Sequence, residues 1–215
     1  MVHMNKMTVV LVTPFLVGIL VFSALFLMWR YPVWGMFEFK GEQNSISIDR
    51  AAELANDYLE SLGNNDLAID EIMEFEFNFY IVYYEKSTGI GAFESIIDKQ
   101  GAYGMMGIMG SGYVRPEQGP NMMWNIKYGM RMMYGAGITS GTTIGEDDAR
   151  EYAQRYLDEH FTGSVVGDVH QFYGYYTVHV VTDNKVSGMV SVNGYDRQIW
   201  YHNWHGKYIQ TLEMR

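Results

Sequence analysis

A run of fourteen residues occurs twice in this chain, 98 positions apart, and that recurrence limits the fold more than any other feature. Ile46-Ser-Ile-Asp-Arg-Ala-Ala-Glu-Leu-Ala-Asn-Asp-Tyr-Leu59 aligns with Ile144-Gly-Glu-Asp-Asp-Ala-Arg-Glu-Tyr-Ala-Gln-Arg-Tyr-Leu157, matching Ile46 to Ile144, Ala51 to Ala149, Ala55 to Ala153, Tyr58 to Tyr156 and Leu59 to Leu157. Counted from Ala51, the shared positions fall at i, i+4, i+7 and i+8, which is one face of a helix. Ser47 and Thr143 stand where an N-cap is expected. Self-similarity at a fixed offset means one supersecondary unit used twice.

Behind each helix come aromatic and β-branched runs. Phe75 to Tyr84 and His170 to Val181 read as a strand pair in each copy. Gly91 to Asp98 and Ser187 to Asn193 read as further strands, each followed by a turn-like segment, Lys99-Gln-Gly101 and Asn193-Gly-Tyr-Asp196. The expected fold class is α+β: two modules, each one helix packed on the hydrophobic face of an antiparallel meander. The expected boundaries are 46–104 for the first module, 105–141 for a Gly/Met-rich connector and 142–215 for the second module.

The paired helices, the aromatic strands and the Ile96-Ile97-Asp98-Lys99-Gln100-Gly101 ending resemble the PepSY family, over Ile46 to Tyr103 and Ile144 to Trp200. Gly119-Pro-Asn-Met-Met-Trp-Asn-Ile-Lys-Tyr-Gly129 is similar to a segment of uncharacterised tandem PepSY-like proteins of archaea and anaerobic bacteria. The resemblance implies helix-plus-strand modules, secreted or attached to a membrane, with accessory, inhibitory or binding roles. It transfers no active-site residue.

Ahead of the modules, Met7 to Met28 is uncharged and predominantly apolar. At about 1.5 Å per residue it is long enough for a hydrocarbon core of roughly 30 Å. Pro14 and Gly18 are tolerable in a membrane helix, and Trp29, Tyr31 and Trp34 form an aromatic belt at its exit. Residues 1–30 are therefore expected to be a tail and single-pass anchor, and 31–45 a juxtamembrane linker. A cleaved signal peptide would have a shorter core ending in a small-x-small site. Lys6 before the run and Arg30 and Lys40 after it leave orientation undecided by charge. The short, lightly charged tail places the modules on the extracytoplasmic side.

The formal net charge of -10 argues against a nucleic-acid partner. The absence of cysteine removes disulfides, thiolate metal sites and thiol nucleophiles. No nucleophile elbow, phosphate loop or His-Glu-x-x-His helix is present. Gly135 to Gly141 lacks the context of a dinucleotide loop and reads as a hinge. The sequence offers no anchor for an enzyme.

Two groups could hold a metal. Half of the 16 methionines lie between Met105 and Met133, and thioether sulfur suits Cu(I), so Met105, Met106, Met109, Met122 and Met123 are candidate copper ligands. The competing and favoured reading is that these methionines fill irregular contacts between modules or at a partner surface. His202-Asn-Trp-His205 is the close histidine pair; its rings diverge in a strand but can share a metal in a turn, and no third ligand is marked nearby. His170 and His179, at odd spacing, are expected on opposite faces of one strand region. Glu71 to Glu76 and Glu146-Asp-Asp148 carry acid, the second at a helix start where it complements the dipole.

The functional expectation is a membrane-anchored, non-catalytic interaction module that offers Met122, Met123, Trp124 and Tyr128 to a protein partner or a second copy of itself. The alternatives are a Met/His copper-binding protein and, by family analogy, an inhibitor or chaperone of a secreted protease.

Overall fold

Each copy folds into a helix followed by three antiparallel strands. The computed structural model describes residues 46–99, 113–129 and 142–215, with the backbone of 103–104 and 107–108. In the first copy α1 (Ile48–Ser61) precedes β1 (Leu67–Phe75), β2 (Asn78–Glu85) and β3 (Gly91–Asp98). The connector adds β4 (Tyr103–Gly104), β5 (Gly107–Ile108), β6 (Val114–Pro116) and the short α2 (Pro120–Met123). The second copy is α3 (Glu146–His160), β7 (Ser164–Phe172), β8 (Tyr175–Thr182) and β9 (Lys185–Asn193), continued by β10 (Ile199–Tyr201) and β11 (Tyr208–Glu213).

Ser47 caps α1 as expected, accepting from the Arg50 N–H at 3.2 Å. Thr143 does not cap α3. The cap is Gly145, whose N–H donates to Asp148 Oδ2 at 3.1 Å, while Thr143 Oγ1 donates to the carbonyls of Gly194 and Tyr195. Thr143 lies too far ahead of the first turn, and its hydroxyl ties the helix entry to the turn after β9. Glu146, Asp147 and Asp148 fill the first turn, beside its unpaired N–H groups.

One mixed sheet carries both copies, in the order β10-β9-β8-β7-β3-β2-β1-β11, with β6 also on β3. Its pairs are antiparallel except at the junction, where β3 and β7 meet in parallel at Gly91 and Phe172. A Cβ on Gly91 would lie 2.6 Å from the Phe172 ring, so the junction needs glycine. The C-terminal β11 returns to pair with β1.

The meanders are buried on both faces, not on one. Ala51 and Ala55 let α1 approach Phe79, Ile81 and Tyr83, and Ala149, Ala153 and Leu157 set α3 on Tyr176, Val178 and Val180. The alternate residues, Met73, Phe75, Tyr80, Val82, Ile96, Phe172, Tyr175 and Met189, pack together from both copies in a third core with Trp124. At roughly 1.5 to 3 kcal/mol per buried large side chain, this shared layer is a major stabilising contact between the copies.

Two bulges adjust what faces that layer. In β1 the register slips between Ile69 and Glu71, and in β7 between Val166 and Val169. Ile69 and Val166 lie on the helix side. Without the slips Glu71 and His170 would point the same way; with them both turn to the shared layer.

The apolar run Met7 to Met28, Met105, Met106, Met109 and the hinge at Gly135 to Gly141 lie outside the described residues. Among the described residues no helix is long and apolar enough to cross a membrane.

Candidate metal centre

The shared layer contains a polar seam at its β9 side, assembled by strands and two loops. β8 alternates Tyr175, Thr177 and His179 into the layer, and β9 contributes Ser191. The loop after β6 supplies Glu117, whose N–H continues the ladder to β3 by donating to the Glu94 carbonyl at 2.9 Å. Asn121 holds the same loop from the other side, donating to the carbonyls of Glu94 and Glu117. The loop after β10 supplies His202 and His205, and the His202 N–H donates to the Met189 carbonyl at 3.0 Å.

Glu117, His202 and His205 converge. Glu117 Oε1 lies 3.4 Å from His202 Nδ1 and 3.3 Å from His205 Nε2, and each of the three side chains is no more than 2% exposed. Their candidate ligand atoms all lie within 4.8 Å of one another. Glu117 Oε2, His202 Nδ1 and His205 Nε2 are buried without a hydrogen-bond partner. Buried polar atoms are seldom left that way.

The outward nitrogens are satisfied, and they assign the tautomers. His205 Nδ1 lies 2.7 Å from Asn78 Oδ1, which can only accept, so Nδ1 carries the proton and Nε2 a lone pair. His202 Nε2 lies 2.9 Å from Ser191 Oγ, which lies 3.0 Å from Thr177 Oγ1, which donates to Glu94 Oε1 at 2.6 Å. Thr177 uses its hydrogen on Glu94, so Ser191 donates to Thr177 and accepts from His202 Nε2–H. The Nδ1 of His202 is then also a lone pair. With both rings neutral, two imidazole lone pairs and a carboxylate oxygen face one another, an arrangement that a metal ion between them, or a further proton on either ring, would satisfy.

Burial dominates at His205 and lowers it, favouring the neutral ring. Trp204 Nε1 donates to Glu117 Oε1 at 2.8 Å, which orients the carboxylate. A cavity of about 120 Å³ borders His202 and His205, lined also by Phe75, Gly188, Tyr201 and Asn203.

At the inner end of the seam, Glu94 is fully buried and accepts from Tyr80 at 2.5 Å, Thr177 at 2.6 Å and Tyr175 at 2.9 Å. Burial raises its carboxyl and pushes the Tyr80 and Tyr175 phenols well above their usual values.

Of the residues singled out from sequence, His202 and His205 meet in the turn that follows β10, with a third partner 85 positions earlier in the chain. Nothing in the local sequence marks Glu117; the Pro116-Glu-Gln-Gly-Pro120 turn only places it on a loop. His170 and His179 are not on opposite faces. They sit on the two arms of the β7–β8 hairpin, where His170 faces Thr177, so His179, two further on, shares that face. Met123 is exposed and lines a groove with Trp200, Asn203 and Trp204. Met122 is half-buried. Trp124 is buried in the shared core, edge-on to Trp200, and Tyr128 donates to Glu85 Oε1 at 2.5 Å.

No protein-family model matches the chain, and no curated protein matches it. Among solved structures, the Bacillus megaterium YpeB C-terminal domain aligns with it at 14% identity and a TM-score of 0.26. The alignment covers 73% of this chain and 62% of that one.

Proposed function

We propose that this is a membrane-held, non-catalytic binding protein of two PepSY-like modules that carries a divalent transition metal at Glu117, His202 and His205. The observation that carries the reading is the convergence of two assigned imidazole lone pairs on a buried carboxylate. Two nitrogens and one oxygen suit Zn²⁺ and its borderline neighbours, Cu²⁺ included, better than they suit Cu(I). The ligands are buried too deeply for a macromolecular substrate to reach the ion. Its role is to brace the loop after β6 against the loop after β10.

The same loop supports the second half of the reading, an interaction surface. Trp204 bonds Glu117 and also lines, with Met123 and Trp200, a groove of about 530 Å³. Metal binding would order the groove that a protein partner meets. Exposed Met123 beside half-buried Trp200 and Trp204 is the kind of surface such contacts use.

The test is Zn²⁺ titration of the detergent-solubilised full chain, stripped by chelator, followed by thermal unfolding. Metal at a hundredfold over its dissociation constant stabilises by about 2.7 kcal/mol, which in a chain of this size raises the midpoint by about 5 to 10 °C. Glu117→Gln removes the part of that rise that this centre supplies. A chain that fails to compete for zinc at micromolar free metal refutes the centre.

A further inference from the structure

The shared layer holds another group that pairs two imidazoles with a carboxylate, and it joins the two copies directly. Glu71 stands on β1 of the first copy, His170 on β7 and His179 on β8 of the second. Glu71 Oε1 lies 3.2 Å from His170 Nε2 and is hydrogen-bonded to His179 Nε2 at 3.1 Å, so a bound metal would take the place of that proton. The two rings are 5.1 Å apart at 46°, so their Nε2 atoms point at one oxygen without stacking. Glu71 and His179 are 5% exposed and His170 17%.

We propose that Glu71, His170 and His179 form a second binding site for a borderline divalent metal, of the Zn²⁺, Co²⁺ or Ni²⁺ class, bound through both Nε2 atoms and the Glu71 carboxylate. Four observations carry it. The candidate ligand atoms lie within 4.8 Å of one another. His170 Nε2 is buried with no hydrogen-bond partner, although it faces the carboxylate. The far nitrogen of the same ring, Nδ1, lies 3.4 Å from Asp70 Oδ2, the carboxylate-to-histidine contact that fixes a ligating ring and raises its basicity. Finally, Glu71 and His170 reach the layer only because β1 and β7 each carry a bulge just before them. Bulges of this kind re-aim side chains beside functional sites.

Charge favours a cation here. Glu213 pairs with Glu71 across the β1–β11 ladder, and Asp70 adds a third carboxylate. Facing them are His170, His179 and the Arg215 guanidinium, which is 3.8 Å from Asp70 and half exposed. Glu94 also acts on His170 from within the layer. Neutral imidazoles would leave these carboxylates against one distant guanidinium, a balance that a proton on either ring or a divalent ion would restore. Partial exposure of His170 and Asp70 makes this the more exchangeable of the two sites.

The site is separate from the Glu117 centre, and stoichiometry distinguishes them. The full chain in detergent is titrated with Zn²⁺ against a chromophoric chelator, and imidazole ¹⁵N shifts are followed in the unmutated protein. The expected result is two equivalents of bound zinc, with the His170 and His179 Nε2 resonances moving with one of them. His170→Gln should lower affinity for one equivalent at least tenfold and leave the other; His205→Gln should do the converse. One equivalent that His205→Gln abolishes, with His170 and His179 shifts unmoved, overturns this site alone. One equivalent that His170→Gln abolishes overturns the Glu117 centre alone. The ¹⁵N shifts decide the matter even if a variant fails to fold.

Discussion

His205 donates from Nδ1 to the side-chain oxygen of Asn78 at 2.7 Å, joining the start of β2 to a loop 127 positions later. The bond has two effects. It pins the C-terminal loop to the first copy, and it commits the other ring nitrogen to a lone pair aimed at Glu117.

Asn78→Leu should therefore weaken zinc at the Glu117 centre by about 10- to 100-fold, the usual effect of removing the partner that orients a ligating histidine. Without the acceptor, His205 is free to protonate Nε2 and present a hydrogen to the metal position. Chelator competition measures it. An unchanged affinity with a properly folded variant would show that Asn78 only packs the loop.

Glu94 offers a sharper comparison, because its environment separates charge from shape. Burial raises its folded pKa, so the folded state favours the protonated acid and stability falls as pH rises above the usual carboxylate range. Glu94→Gln keeps an acceptor and removes that cost; at neutral pH it should be neutral or stabilising. Glu94→Leu removes the acceptor of three buried hydroxyls, leaving Thr177 only Ser191 and Tyr175 only the longer contact to Asn121, and should cost about 3 to 5 kcal/mol. Denaturant unfolding of the two variants gives the contrast, and equal losses would contradict it.

The junction of the copies depends on one missing side chain. A Cβ at Gly91 would meet the Phe172 ring at 2.6 Å and the Gln171 carbonyl oxygen at 2.9 Å, neither able to withdraw without opening the contact between β3 and β7. Gly91→Ala should destabilise by about 1 to 3 kcal/mol, the range for overpacking. Hydrogen exchange should show the loss first at β3 and β7. Protection reduced only in β9 and β10 would place the weak point elsewhere.

The helices and the inner strands were legible because each has a period of its own. Ala51, Ala55 and Tyr58 mark a helix face, and Phe79 to Tyr84 could be nothing but strand once the Gly91 run followed. The shared layer was not legible. A meander with one helix looks one-faced until the second copy is found lying on its other side, which is why Tyr80, Val82 and Tyr175 carry no distinguishing sign. Glu117 was hidden by distance along the chain, and His170 with His179 by parity, since odd spacing separates residues on one strand but joins them across a hairpin turn. The bulges that turn Glu71 and His170 inward have no composition signal beyond Gly167. That glycine lies within the second slip, where a Cβ would come within 2.8 Å of Val181.

Glu85 gives the pH dependence a clear sign. Almost fully buried at the end of β2, it accepts from Lys127, from the hydroxyls of Tyr128 and Tyr173 at 2.5 Å each, and from Thr88 at 3.1 Å. Burial alone would raise the carboxyl, but these four donors together lower it from 4.5 to about 2. A depressed folded pKa contributes stability that is complete above about 4.5 and disappears as pH falls toward 2. Lys127 is 42% exposed, so screening reduces the contribution to about 1 to 2 kcal/mol. Glu85→Gln should be destabilised by that amount in urea at pH 6, and its gap from the parent chain should close as the pH approaches 2. Because Tyr128 belongs to the connector and Tyr173 to the β7–β8 turn, the same variant should loosen both segments in hydrogen exchange. A gap that stays constant from pH 6 to pH 3 would mean that Glu85 acts through packing and not through its charge.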